Sequence, residues 1–367
     1  MSHGVFWDPG VHWGIQIAIY LFLGGLAGGS YITGYVADLM SLRTESEIEY
    51  VSRRETARWG MYISVVSIAF GGVALILHLG RPLRALLFPI LFTNFGSWMV
   101  IGTWVIVLFS LFAVFQAFWY TFGGEAVGET GMSLAWRRLL SKYVRVNPGT
   151  SGRSRLVRMI DQIADTTRPP RKAWLGFGAI GVLLSLVLVP YTAMLLSAVE
   201  TIPLWDRMYL PLIFLLSGVS TGIAGATGLT IVFEGLSETV HVYSLADDVL
   251  IVIEILVLGA LVASLDAAGF AGRVSQFLIN GQYMPMFWGA IVAAGLVLPV
   301  IISLAITVLC HPGGVESLSD EVRDVAHAGM IVKYALVIQG GFFLRFIVLL
   351  AAVQLPYVPV GVPGVSA

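Results

Sequence analysis

The chain has 367 residues, 57% of them hydrophobic and only 12% charged, with a mean hydropathy of +0.86 and a formal net charge of −1. No soluble domain of this size hides that much apolar surface, so a water-soluble protein is excluded and an all-α integral membrane protein is expected. The single cysteine, Cys310, excludes an internal disulfide and an iron–sulfur cluster held by this chain alone.

A helix needs about 20 mostly apolar residues to cross a bilayer. Eight such runs are predicted. The first is Trp13–Ala37. The preceding "MSHGVFWDPGVHW" has no basic n-region, so this run is expected to stay in the mature protein. It opens on His12, Trp13, Gln16 and Tyr20, continues through "LFLGGLAGG" and is followed by Asp38. The second, Trp59–Leu79, closes on His78 just before Arg81; the third is Trp98–Tyr120. A long basic connection, Thr121 to Lys172, follows. Within it "MSLAWRRLLSKYVRV" and "RSRLVRMIDQIADTTRPPRK" fit amphipathic helices on an anionic leaflet and equally fit a solvated linker. The fourth run, Ala173–Val199, contains Pro190, Tyr191 and Thr192, and Trp205 lies in the next connection. The fifth, Met208–Phe233, is followed by Glu234. The sixth, Val249–Leu265, holds Glu254 and is preceded by Asp247 and Asp248. The seventh is Pro285–Leu309, and the eighth, Gly329–Val353, holds Lys333 and Arg345.

Basic residues accumulate on the cytoplasmic side of membrane proteins. Here the connections after the odd-numbered spans hold fifteen and those on the other side four. Both termini are therefore expected outside, in a multi-pass protein of a prokaryotic cytoplasmic membrane. Residues 1–122 would carry spans 1–3 of a first bundle, 123–172 the basic cytoplasmic loop, 173–199 span 4, and 200–367 a second bundle of spans 5–8. An internal echo supports two four-helix bundles. "LFLGGLAGG" in span 1 aligns with "FLLSGVSTG" in span 5, matching Gly25 and Gly29 to Gly218 and Gly222. Small residues four apart let helices approach closely in lipid. The glycines form neither G-x-G-x-x-G nor a Walker pattern, and they lie inside an apolar run, which argues against a phosphate loop.

The six histidines sit at span ends or in connections, so a bis-histidine haem is not expected, nor is a metal site. The outward membrane edge gathers His12, Trp13, Gln16, Tyr20, His78, Arg81, Tyr191 and Trp205. Gln16 and Tyr20 are four apart and share a helix face. Such a set suits a quinone, with its tail in lipid and its carbonyls on hydrogen-bond donors. It also suits an interfacial aromatic belt. Ionisable groups inside a membrane are costly and often functional. Glu254 is expected to pair with Lys333 or Arg345. Asp38, Glu234, Asp247 and Asp248, at cytoplasmic helix ends, would lead protons toward them. A structural ion pair with ordinary helix-end charges explains the same residues.

Taken together, "WGIQIAIYLFLGGLAGGSY", "LHLGRPLRALLF", "TNFGSWMVIGTW", "VPYTAMLLSAVETIPLWD", "LPLIFLLSGVSTGIA" and "WGAIVAAGLVLP" resemble the NrfD-like family, the membrane subunits of polysulfide-reductase-type oxidoreductases. The resemblance covers spans 1 to 7 in order. It implies a haem-free eight-helix anchor that binds menaquinone or ubiquinone. It also implies an extracytoplasmic ferredoxin-like iron–sulfur partner and, in many members, a molybdopterin catalytic subunit. By local pattern the quinone groups implied are Gln16, Tyr20 and Tyr191. Gln and Tyr stand here where the family tends to have Asn and His, so the hydrogen bonds need not match. The competing reading is a transporter or ion-conducting protein, also built from repeats with buried charges.

Overall fold

A computed structural model of the protein describes residues 15–44, 46–78, 94–122, 155–199, 204–236, 238–266, 281, 283–310 and 319–353. Among these residues all regular structure is helical. The elements are α1 (Ile15–Ser41), α2 (Glu47–His78), α3 (Trp98–Thr121), α4 (Arg155–Thr167), α5 (Arg171–Leu196), α6 (Tyr209–Glu234), α7 (Glu238–Asp266), α8 (Pro285–Val297), α9 (Leu298–Cys310) and α10 (Asp320–Val353). Among the described residues eight helices are long and apolar enough to cross a membrane, with α8 and α9 forming one continuous span.

Several helices outrun their apolar core. α2 begins at Glu47, twelve residues before the predicted Trp59. Its polar start is stitched by Arg53–Glu49 at 3.0 Å and Arg58–Glu55 at 2.5 Å, pairs spaced four and three residues apart on one helix face. α7 begins at Glu238 and α10 at Asp320, so Asp247 and Asp248 lie well inside a helix and not at its end. Hydropathy marks where a helix crosses lipid, not where its hydrogen bonds stop. α5 ends three residues short of the predicted Val199. The sequence 155–167 forms an amphipathic helix, α4, and Pro169–Pro170 separates it from α5. "MSLAWRRLLSKYVRV" lies outside the described residues.

α8 is wound with five-residue hydrogen-bond spacing: the Leu298 N–H donates to the Ala293 carbonyl. Its Gly295 backbone meets the Gly340 backbone of α10, and a Cβ on either would overlap the other's Cα region.

Helix neighbours close into two rings. α1, α2, α3 and α5 form one ring, and α6, α7, α8–α9 and α10 form the other. The rings join mainly along α1 and α6. At the junction a Cβ on Gly29 would overlap the Gly218 carbonyl, and one on Gly222 would overlap the Gly29–Ser30 peptide. Gly25 instead leaves room for the Arg345 guanidinium, and Gly28 faces Val189 and the Ser185 carbonyl of α5. The glycine-rich stretch therefore serves two neighbours: one face receives α6 and the next receives α5. Large apolar side chains point outward, as in the run Val242, Leu245, Val249, Val252 and Leu256 of α7, while many Ser, Thr and charged residues are buried among the core hydrophobics. This distribution suits a lipid surround, where helix association relies on close packing and polar contacts.

Candidate functional site

The helices alternate in direction, so the starts of α1, α3 and α6 and the ends of α2 and α5 share one face, termed the amino face. Tyr20 on α1 and Tyr191 on α5 are both buried and lie within electrostatic reach of each other. The approach depends on Gly28, where α1 comes against Val189 and Ser185, only a turn or two along α5 from Tyr191. Pro190 lacks an N–H, which releases the Leu186 carbonyl from its helical bond just before Tyr191. On the α3 side Tyr191 rests on Gly102: a Cβ there would overlap its ring and hydroxyl. Neither tyrosine hydroxyl has a hydrogen-bond partner among the described residues. Gln16, one turn from Tyr20 toward the membrane edge, is half-buried.

The remaining predicted edge residues divide. His78 is half-buried at the end of α2. Trp205 is buried, and its indole N–H donates to the Val348 carbonyl of α10 at 3.2 Å, so it belongs to the second ring. His12, Trp13 and Arg81 lie outside the described residues. Beside Trp205, an apolar cavity lies within the second ring, lined by Leu204, Leu210, Leu258, Phe287 and Ile347 among others.

Besides the Glu55–Arg58 pair of α2, three further buried charge clusters occupy the interior among the described residues. Near the face opposite Tyr20, Asp38 accepts hydrogen bonds from Arg54 at 2.6 Å, Arg171 at 3.2 Å and the Trp174 indole at 2.9 Å. It thereby ties α1, α2 and α5 together, and the Arg54 guanidinium also lies over the Tyr120 ring. In the second ring Lys333 donates to Asp248 at 2.6 Å, to the Ser244 hydroxyl at 2.7 Å and to the Ser244 carbonyl at 3.2 Å. Ser303 also donates to Asp248, and Ser220 donates to Asp247 at 2.6 Å. Closer to the amino face, Arg345 donates to the Gly341 carbonyl at 2.8 Å and to the Ser217 hydroxyl at 3.2 Å, and it interacts electrostatically with Glu254.

Glu254 interacts electrostatically with Arg345, while Lys333 forms ion pairs with both aspartates. Glu234 stands apart. It is exposed at the end of α6 beside Glu55 and Arg58, and roughly 21 Å of helix separates it from Ser220, at 1.5 Å per residue. The buried hydroxyls of Thr230, Thr227, Ser220 and Ser217 lie along α6 between these groups, with Thr230 at 3.2 Å from Thr56. Sequence reasoning passed over Gly102, Ser217, Ser220, Ser244, Ser303, Arg54 and Arg171. Their signals are single small or basic residues whose partners come from distant helices.

Comparison with known proteins agrees with this architecture. A family model described as "Polysulphide reductase, NrfD" matches residues 5–356. The protein is 29% identical over 354 residues to the C subunit of the polysulfide reductase of Wolinella succinogenes, with 93% of each sequence covered. It is 26% identical over 305 residues to "Protein NrfD homolog" of Haemophilus influenzae, covering 82% of this sequence and 85% of that one. "Protein NrfD" of Escherichia coli matches at 26% over 216 residues, 58% of each sequence. With its eight membrane-spanning helices and a match along nearly its whole length, the protein belongs to the NrfD polysulphide reductase family of oxidoreductase membrane subunits.

Proposed function

We propose that the protein is the quinone-reactive membrane subunit of an oxidoreductase complex, with Tyr20, Tyr191 and Gln16 holding the quinone head. The observation that carries this reading is the meeting of two buried phenols from α1 and α5, their hydroxyls unengaged among the described residues. Gly102 makes room for the Tyr191 ring and hydroxyl against α3. A phenol O–H donates to a carbonyl oxygen while its ring offers an apolar wall, and the Gln16 amide adds a donor at the lipid edge. This combination fits an amphipathic head group with its tail in lipid. When bound, a menaquinone or ubiquinone supplies a two-electron, two-proton couple. Among the described residues, His78 sits on the same face and joins the rim.

The amino face is assigned to the outside of a prokaryotic cytoplasmic membrane, with both termini there; the excess of basic residues in the opposite connections supports this. A ferredoxin-like iron–sulfur subunit docks on that face and exchanges electrons with the site, with a molybdopterin subunit beyond it. The naming of a relative as one subunit of a polysulfide reductase supports a multi-subunit assembly.

Protons move between the opposite face and the tyrosines through the groups along α6. Glu234 lies at the entrance, followed by the Thr230 and Thr227 hydroxyls, then the Asp247–Asp248–Lys333 cluster, then Glu254 and Arg345. Arg345 reaches Gly25 on α1, five residues from Tyr20, and so brings the file to the site. Asp38 has three donors and is assigned to anchoring the helix ends.

Tyr191→Phe is expected to assemble normally and to lower quinol-linked turnover roughly tenfold, the loss of one hydrogen bond of about 1–1.5 kcal/mol. Unchanged kinetics with quinol analogues would remove Tyr191 from the site. In proteoliposomes, quinone turnover is expected to move charge across the membrane. Turnover without charge movement would set aside the proton route and leave the quinone site standing.

A further inference from the structure

The interior of the second ring contains three carboxyl groups, Asp247, Asp248 and Glu254, and two cations, Lys333 and Arg345. Their local pairing is uneven. Lys333 has three protons on Nζ, and three acceptors take them: Asp248 Oδ1, the Ser244 hydroxyl and the Ser244 carbonyl. The second oxygen of Asp248 accepts from Ser303, whose hydroxyl also lies 2.9 Å from that of Ser244. Lys333, Asp248, Ser244 and Ser303 thus form a closed network. Arg345 is within electrostatic range of Glu254. Asp247 shares Lys333 with Asp248 and holds the longer of the two contacts. It is fully buried, and Oδ1 accepts from Ser220. Oδ2 has no hydrogen-bond partner and stands 3.5 Å from an Lys333 Nζ whose protons are already engaged.

Two buried carboxylates that share one cation carry an excess negative charge, which is far costlier to keep than to neutralise with a proton. Among the described residues, the titratable and charged groups facing Asp247 are Asp248 and Glu254 on its own helix and Lys333 and Tyr334 on α10. α6 contributes Ser220, and α9 contributes Ser303 through Asp248. None of these supplies a second cation. We infer that Asp247 is a proton-storage site: it carries one exchangeable proton beside the Lys333–Asp248 ion pair, and any change in the charge of that pair changes whether the proton stays. The inference rests on the charge count and hydrogen bonds of this cluster. Failure of quinone binding or of transmembrane charge movement would leave it standing.

Infrared spectroscopy of the purified, lipid-reconstituted complex reads this proton directly. The wild-type-minus-Asp247→Asn difference spectrum is expected to show a protonated-carboxyl C=O stretching band that shifts in D2O. Asp248→Asn frees Lys333 for Asp247 and is expected to abolish the same band. Lys333→Met leaves two aspartates without a cation and is expected to add a second band of similar intensity. If Asp247→Asn does not assemble, the other two variants decide. Absence of the band from wild-type protein, its survival in Asp247→Asn or Asp248→Asn, or an unchanged spectrum in Lys333→Met would overturn the assignment.

Discussion

Leucine at position 29 is expected to abolish accumulation of the protein in the membrane. The obstacle is backbone: a Cβ on Gly29 would overlap the Gly218 carbonyl, and the Gly222 side of the same crossing is equally close. Overpacking a core with movable side chains costs about 1–3 kcal/mol. Here relief would require separating α1 from α6, and with them the two rings, so the cost exceeds that range. The same stretch supplies its own controls. Gly24 has nothing within 4 Å of a built Cβ, so Gly24→Ala is expected to be tolerated, with a small gain from helix propensity. Gly25 faces the end of the Arg345 side chain, which can shift, so Gly25→Ala should fall between the two and Gly25→Leu nearer to Gly29→Leu. Fluorescence-detected size exclusion of tagged variants from solubilised membranes checks this order. Equal recovery of the Gly24 and Gly29 variants would mean that the crossing does not hold the rings together.

Removing the carboxylate at position 38 is expected to be the next largest effect. Asp38→Ala takes the carboxylate away from the Arg54 guanidinium and the Trp174 N–H. Breaking one partner out of a buried ion pair costs about 3–5 kcal/mol, mainly through the uncompensated charge that remains. Arg171→Ala should cost far less. Its side chain is 40% exposed, and exposed pairs contribute about 1 kcal/mol or less. Thermal denaturation of the solubilised protein, followed by loss of the monodisperse peak, separates the two variants. A destabilisation as large for Arg171→Ala as for Asp38→Ala would show that the cluster is not organised around the carboxylate.

These two cases also show what the residue order makes legible. The glycine echo between spans 1 and 5 could be read because small residues recur on one helix face, and a helix face is a local property. The partners of Asp38 could not be read in this way. Arg54 is sixteen residues away and Arg171 more than a hundred, and nothing local separates them from the other basic residues of the opposite connections. Lys333 and Arg345 stood out as charges in an apolar run, yet their partners depend on how α7 is placed against α10. That placement involves the polar start of α7, from Glu238 to Asp248, which hydropathy treats as a connection. The five-residue winding of α8 has no counterpart in "PMFWGAIVAAGLV", an even apolar run. At the amino face, Gln16 and Tyr20 could be paired by their spacing. Tyr191 joined them by its place after Pro190 at the outward end of span 4, and its seat on Gly102 became visible only once α3 and α5 were side by side.

The placement of the quinone head at Tyr20 and Tyr191 is tested most directly by photoaffinity labelling. An azido-quinone is bound to the purified complex, irradiated, and its attachment sites mapped by mass spectrometry. Label is predicted on peptides carrying Gln16–Tyr20 and Tyr191, competed by unmodified quinone and reduced in Tyr191→Phe. Competable label confined instead to the apolar cavity of the second ring, on Leu210, Leu258 or Phe287, would contradict the account.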